Sequence, residues 1–151
     1  MPVNRDFRDL FAELNSARAR YLLVGAHAVA FYCQPRFTKG LDVWVEATAE
    51  NARAVFSALK AFGAPVGDLS VADLAKPGLI FQIGVAPNRI DIVTSIDGVI
   101  FSDAWKGKQD TSYGDQRIQV IGRNHLILNK RAVGRPQDLL DVDMLERSMQ
   151  E

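Results

Sequence analysis

The sequence predicts an α/β domain of the α+β kind, a mixed β-sheet flanked by helices, and three observations carry that reading. Short runs of strand type, Tyr21 to Val24, Leu41 to Glu46 and Arg89 to Val93, alternate with segments of helical period. Two further runs, Leu79 to Val85 and Arg89 to Val93, are separated only by Ala86-Pro87-Asn88, a turn signal that favours a hairpin and makes the sheet mixed rather than all parallel. Finally, 151 residues with 48% hydrophobic content are enough for one domain with its own core, needing neither a disulfide nor a structural metal.

Each element has its own signal. Phe7, Leu10, Phe11 and Leu14 recur at helical spacing and predict an amphipathic helix from about residue 4 to 18. Tyr21 to Val24 is a short buried strand that ends at Gly25, and a helix over Ala26 to Tyr32 starts directly from it. Such a strand–Gly–helix junction aims backbone N–H groups at whatever lies above it, which suits a phosphate. Leu41 to Glu46 alternates Leu41, Val43 and Val45 with Asp42, Trp44 and Glu46. Thr48 can cap the next helix, whose stripe is Ala52, Val55, Phe56 and Leu59 up to Gly63. Ser70 and Asp73 form a small capping box. Phe101 to Trp105 suggests a short helix, and a strand region over about Thr111 to Ile121 is broken by the turn Tyr113 to Gln116. Asn124 is expected to cap a helix to about Val133, closed by Gly134, and Pro136 starts the last one.

Charge and composition narrow the function. Eighteen basic residues balance eighteen acidic ones, so no global field draws the protein to nucleic acid or membrane, and any RNA partner must be argued from a local site. The single cysteine, Cys33, excludes an intramolecular disulfide and fits a reducing compartment. The N-terminus has mixed charges and no apolar h-region, and no stretch approaches the roughly 18 apolar residues of a membrane span. A cytoplasmic protein without a membrane partner is the expectation.

The residues that can carry chemistry begin with Asp42 and Asp91. Each is a carboxylate between β-branched or leucine neighbours, Leu41-Asp42-Val43 and Ile90-Asp91-Ile92, a placement that is costly unless the group is paired or binds a metal. Two such strands in one sheet would bring the carboxylates together; the other reading is a pair of edge residues salt-bridged to Arg36 or Arg89. Lys130, Arg131 and Arg135 lie within six positions, followed by Asp138 and Asp141 at helical spacing. A metal-bound triphosphate wants both kinds of partner, although a solvated face with intrahelical ion pairs is the commoner fate of such charges. His27 at the start of its helix is either a contact to phosphate or base or a structural histidine. Trp44 either stacks on a base or packs in the core.

Four stretches then carry a resemblance: Tyr21-Leu22-Leu23-Val24-Gly25-Ala26-His27-Ala28-Val29-Ala30; Pro35-Arg36-x-Thr38-Lys39-x-Leu41-Asp42-Val43-Trp44-Val45; Arg89-Ile90-Asp91-Ile92-Val93; and Asn129-Lys130-Arg131-Ala132-x-Gly134-Arg135-Pro136-x-Asp138-x-x-Asp141. In this order they resemble the landmarks of the minimal nucleotidyltransferases related to the AbiEii toxin group. The resemblance implies a polymerase-beta-like fold and a magnesium-dependent transfer of a nucleoside monophosphate from an NTP to RNA, such as tRNA, or to protein, with manganese as a substitute ion and an antitoxin as a possible partner. It assigns metal binding to Asp42 and Asp91 and catalysis to these two with Lys130. Gly25, Ala26, His27, Arg36, Thr38, Lys39 and Arg135 are its nucleotide-binding positions, Ala26 lacking the hydroxyl that some members use.

One position departs from the pattern. Gly40 stands where the first metal-binding Asp is expected. On an extended strand, residues two apart share a face, so an Asp-x-Asp pair would present two carboxylates, and here only Asp42 remains. Glu46 is about 13 Å further along the strand and cannot replace the missing ligand. Magnesium can still be held by one or two carboxylates with substrate phosphates. The expectation is therefore a nucleotidyltransferase whose activity is weak or absent. The alternative is a non-catalytic nucleotide-binding or protein-interaction module. Restoring Asp at position 40 is expected to tighten metal-dependent binding if the position faces the cleft beside Asp42.

Overall fold

The computed structural model describes residues 3–34 and 38–149. Its elements are α1 (Arg5–Ser16), β1 (Tyr21–Val24), α2 (Gly25–Tyr32), β2 (Gly40–Val45), α3 (Ala49–Phe62), α4 (Val71–Leu74), β3 (Ile80–Ile83) and β4 (Arg89–Val93), followed by α5 (Phe101–Lys106), β5 (Gln109–Tyr113), β6 (Gln116–Val120), α6 (Arg123–Val133) and α7 (Pro136–Ser148). The strands form one six-stranded sheet in the order β3-β4-β2-β1-β6-β5. β1 and β2 are antiparallel, β2 and β4 parallel, and β1 and β6 parallel. The β3–β4 and β5–β6 pairs are antiparallel hairpins at the two edges.

Side-chain alternation decides what each face of the sheet covers. Tyr21 and Leu23 share a face with Val43 and Val45, and Phe11 of α1 stacks on Tyr21 at a centroid distance of 5.7 Å. α1 and α3 pack against each other and supply Phe7, Leu10, Leu14, Val55 and Leu59 to the core. The opposite face carries Asp42 and Trp44. Trp44 is fully buried and meets Phe101 of α5 edge-on at 5.0 Å, so packing rather than base stacking is its role.

The caps are those expected at Thr48 and Ser70. The start of α6 is not. Gly122 is the N-cap, its carbonyl accepting from Leu126 at 2.9 Å, which leaves Asn124 inside the first turn with no backbone donor to cap. α6 and α7 pair with each other and rest on α2. Asn129 Nδ2 donates to the Asp97 carbonyl at 2.9 Å and fastens α6 to the loop after β4.

A buried asparagine closes the other end of the sheet. Asn51, in the first turn of α3, accepts from the Arg20 amide at 2.7 Å and donates to the carbonyls of Arg20 and Glu46 at 3.0 and 2.9 Å. Backbone groups at the ends of β1 and β2 are thereby tied to the start of α3. Among the described residues, no helix is long and apolar enough to cross a membrane.

Candidate active site

The register places the two carboxylates. In the parallel β2–β4 pair Asp42 stands opposite Asp91, and in the antiparallel β1–β2 pair it stands opposite Val24, the last residue before the Gly25 turn. Asp42 therefore lies beside the start of α2, with Asp91 one strand further along the sheet. Gly25 has φ +71°, and a Cβ on it would overlap Asp42 Oδ2, so the turn is tight against the carboxylate and needs glycine on both counts.

The electrostatics of the pair are those of two like charges taken out of water. Burial, then the neighbouring Asp91, push Asp42 up to about 6, against the opposing pull of Lys130 and Arg89. Asp91 is buried, and its Oδ2 accepts from Arg89 Nη2 at 3.2 Å while its Oδ1 has no partner. An orphaned buried carboxylate oxygen next to a second carboxylate is a donor set for a hard cation. The residues thus fit one magnesium ion that takes the rest of its ligands from phosphate and water. They do not make a cage: no group of three or more His, Cys, Asp or Glu side chains able to hold a metal occurs among the described residues.

Gly40 begins β2 opposite Arg89. A Cβ there would collide with the Arg89 carbonyl of the adjacent strand, with the Arg89 Cβ 3.0 Å away. The expectation that an Asp at position 40 would face the cleft beside Asp42 is corrected by this geometry: the missing side chain would point into β4. Close strand approach, not an open vacancy, is what the glycine permits. Thr38 secures this entry, its Oγ1 donating to the Gly40 carbonyl at 2.8 Å and accepting from the Gly40 amide at 3.3 Å.

The late basic residues reach the same place from α6 and α7. Lys130 Nζ lies 3.3 Å from Asp138 Oδ1 and 3.1 Å from Asp141 Oδ2, and the three side chains are only 7%, 1% and 0% exposed. Gln137 Nε2 also donates to Asp141 at 3.1 Å. Arg135 donates to Asp138 through Nε at 2.7 Å and Nη2 at 3.2 Å, and as the N-cap of α7 its amide donates to Asp138 Oδ2, in the first turn, at 3.1 Å. Burial alone would raise the Asp138 carboxyl, but Arg135 and Lys130 outweigh it and hold the group below its usual range. Asp138 in turn raises Arg135, with Asp141 and Asp42 adding smaller pulls of the same sign. Asp42 is thus within electrostatic reach of both cations. Most of the Arg135 side chain stays in solvent, whereas Lys130 is enclosed.

The candidate positions do not all converge. Asp42 lies against Gly25, opposite Asp91, and within electrostatic reach of Lys130 and Arg135, with Ala26 buried in the first turn of α2. His27 turns the other way: its ring meets Phe7 of α1 edge-on at 5.5 Å, and it lines a cavity of about 350 Å³ with Leu23, Leu41 and Tyr113. Burial lowers its pKa. Lys39 is exposed beside Thr38, and Arg36 lies outside the described residues. Arg89, expected only as a salt-bridge partner of the aspartates, forms that pair with Asp91 at 3.2 Å and also acts on Asp42.

Compared by sequence, the chain matches no family model and no curated protein. Solved structures do match its fold. The lincosamide antibiotic adenylyltransferase LnuA, in its lincomycin-bound form, is 14% identical with a TM-score of 0.57, over 97% of this chain and 98% of that one. TM1012 of Thermotoga maritima, a candidate nucleotidyltransferase, is 12% identical with a TM-score of 0.59, over 97% of this chain and 91% of that one. The fold is that of the polymerase-beta-like nucleotidyltransferases.

Proposed function

We propose that this protein binds a nucleoside triphosphate with one divalent cation at the Asp42–Asp91 pair and is a nucleotidyltransferase of weak or absent turnover. The observation that carries this reading is the register of Asp42 with Asp91 directly beside the Gly25 turn, which unites a cation site with amide donors suited to phosphate. Magnesium is the favoured ion, with manganese able to replace it. When bound it would neutralise phosphate charge and polarise the α-phosphorus. Arg135 is the exposed cation of this group and is assigned to the phosphates. Lys130, enclosed by two carboxylates, contributes field rather than a direct contact. In the transfer itself, an acceptor hydroxyl oxygen bonds to the α-phosphorus, the bridge to the β-phosphate breaks, pyrophosphate leaves, and the hydroxyl proton passes to solvent or to a basic carboxylate. The acceptor class is RNA, such as tRNA, or protein, and an antitoxin is a candidate partner.

The reading of binding without turnover rests on Gly40. With that position packed against Arg89, two carboxylates remain among the described residues to organise metal, which is enough for one ion and short of the symmetric two-ion clamp. Calorimetric titration of Mg-ATP, GTP, CTP and UTP into the protein and into Asp42→Asn tests the binding claim. Transfer of α-phosphate label to a tRNA pool and to the protein itself tests turnover. Binding of one nucleotide that is lost in Asp42→Asn is expected; absence of binding by all four would overturn the proposal in favour of an interaction module.

A further inference from the structure

Arg89 occupies a position that the metal chemistry leaves open. It is two residues from Asp91 on β4, so its side chain shares the face of that carboxylate, while its backbone carbonyl packs against Gly40 of β2. Its Nη2 is bonded to Asp91 Oδ2 at 3.2 Å, yet its Nε is buried without a partner, as is Asp91 Oδ1. A guanidinium has five donors in a fixed fork that matches phosphate as well as carboxylate. Here only one end of the fork is engaged.

We infer that Arg89 does the work of a second cation: it holds Asp91 in the free protein, and on nucleotide binding it yields Asp91 to the single divalent ion and turns its fork to the phosphates. The inference rests on the nucleotide-binding reading above. In the free protein Arg89 competes with metal for Asp91, and in the complex it supplies positive charge that one magnesium ion cannot. A purely structural ion pair has a different signature, because its loss would weaken metal and nucleotide binding alike.

The sign of two measurements separates these cases. Manganese titrated without nucleotide, with the free ion followed by its paramagnetic resonance signal, is expected to bind Arg89→Gln about tenfold more tightly than the natural protein, since a charge-assisted competitor is gone. Mg-nucleotide is expected to bind the same variant about tenfold more weakly. Arg89→Lys keeps the charge without the fork and should fall between on both scales; it also serves if Arg89→Gln does not fold. Manganese affinity in the folded variant equal to or below that of the natural protein overturns the inference, as does an unchanged nucleotide affinity. Failure of the natural protein to bind any nucleotide, with the manganese difference present, removes the nucleotide reading and leaves Arg89 as a gate on a metal site.

Discussion

The Asp42 carboxylate rests against the Cα of Gly25, and this contact joins the proposed cation site to the proposed phosphate site without an intervening side chain. A turn with φ near +71° and a carboxylate at van der Waals contact are two separate demands on the same residue.

Gly25→Ala is therefore expected to cost about 1–3 kcal/mol of stability from backbone strain, and to abolish nucleotide binding as Asp42 is displaced. Urea denaturation and nucleotide calorimetry on the same preparation check both parts. Full nucleotide affinity in the variant would place the phosphates away from this turn.

Asp42 makes the metal-free protein less stable as pH rises. With its carboxyl raised from 3.8 to about 6, the folded state holds more protons than the unfolded chain between those values. Unfolding free energy accordingly falls across that window and is lower above pH 6. Asp91, Lys130, Arg89 and Arg135 are the charged groups whose fields act on or feel this carboxyl. Asp42→Asn should stabilise the metal-free protein by about 1–3 kcal/mol at pH 8 and by almost nothing at pH 3.5. Denaturation midpoints at the two pH values decide it; an equal change at both would remove the titration as the cause.

Lys130→Met removes the ammonium that two fully buried carboxylates share, and a loss of about 3–5 kcal/mol is expected. Arg135→Ala, at a largely exposed side chain, should cost about 1 kcal/mol while weakening nucleotide binding. If the two variants lose stability equally, the burial of Lys130 is not what sustains the network.

At position 40, Gly40→Ala should lower stability by about 1–3 kcal/mol because the added methyl meets the Arg89 carbonyl. Gly40→Asp should be no better and should not tighten magnesium binding. A rise in metal affinity in Gly40→Asp would show that β2 and β4 separate more readily than their packing implies.

Asn51→Ala strips three hydrogen bonds from the ends of β1 and β2, and about 2–3 kcal/mol of stability should go with them. Nucleotide affinity at low temperature should be unaffected. Thermal melts beside calorimetry separate the two.

The sequence made the carboxylate pair legible because Asp42 and Asp91 interrupt two apolar strands in the same way, and a costly interruption points to a reason. The Gly25 turn was legible from its place between a strand and a helix. Gly40 was readable as a departure but not in its geometry, since the direction of its absent side chain depends on how closely β4 approaches, a tertiary property. Lys130, Asp138 and Asp141 have the spacing of a solvated helix face, and only the docking of α6 and α7 on α2 encloses them. Asn51 carried a weak signal, a polar residue beside the Ala52–Val55 stripe. The missed start of α6 has a local cause: Asn124 is a good capping residue, but Gly122 already accepts the first helical hydrogen bond.

The proposed site draws Gly25, Asp42, Asp91 and Lys130 from successive stretches of the chain, and the carboxylates enclosing Lys130 come from α7, which follows every strand of the sheet in sequence. Chains are made from the N-terminus, and their early segments begin to pack first. A growing chain that has completed the sheet still lacks the counter-charges of Lys130, so the enclosure of that ammonium must await α7. The proposed site is therefore assembled only once synthesis has passed that helix.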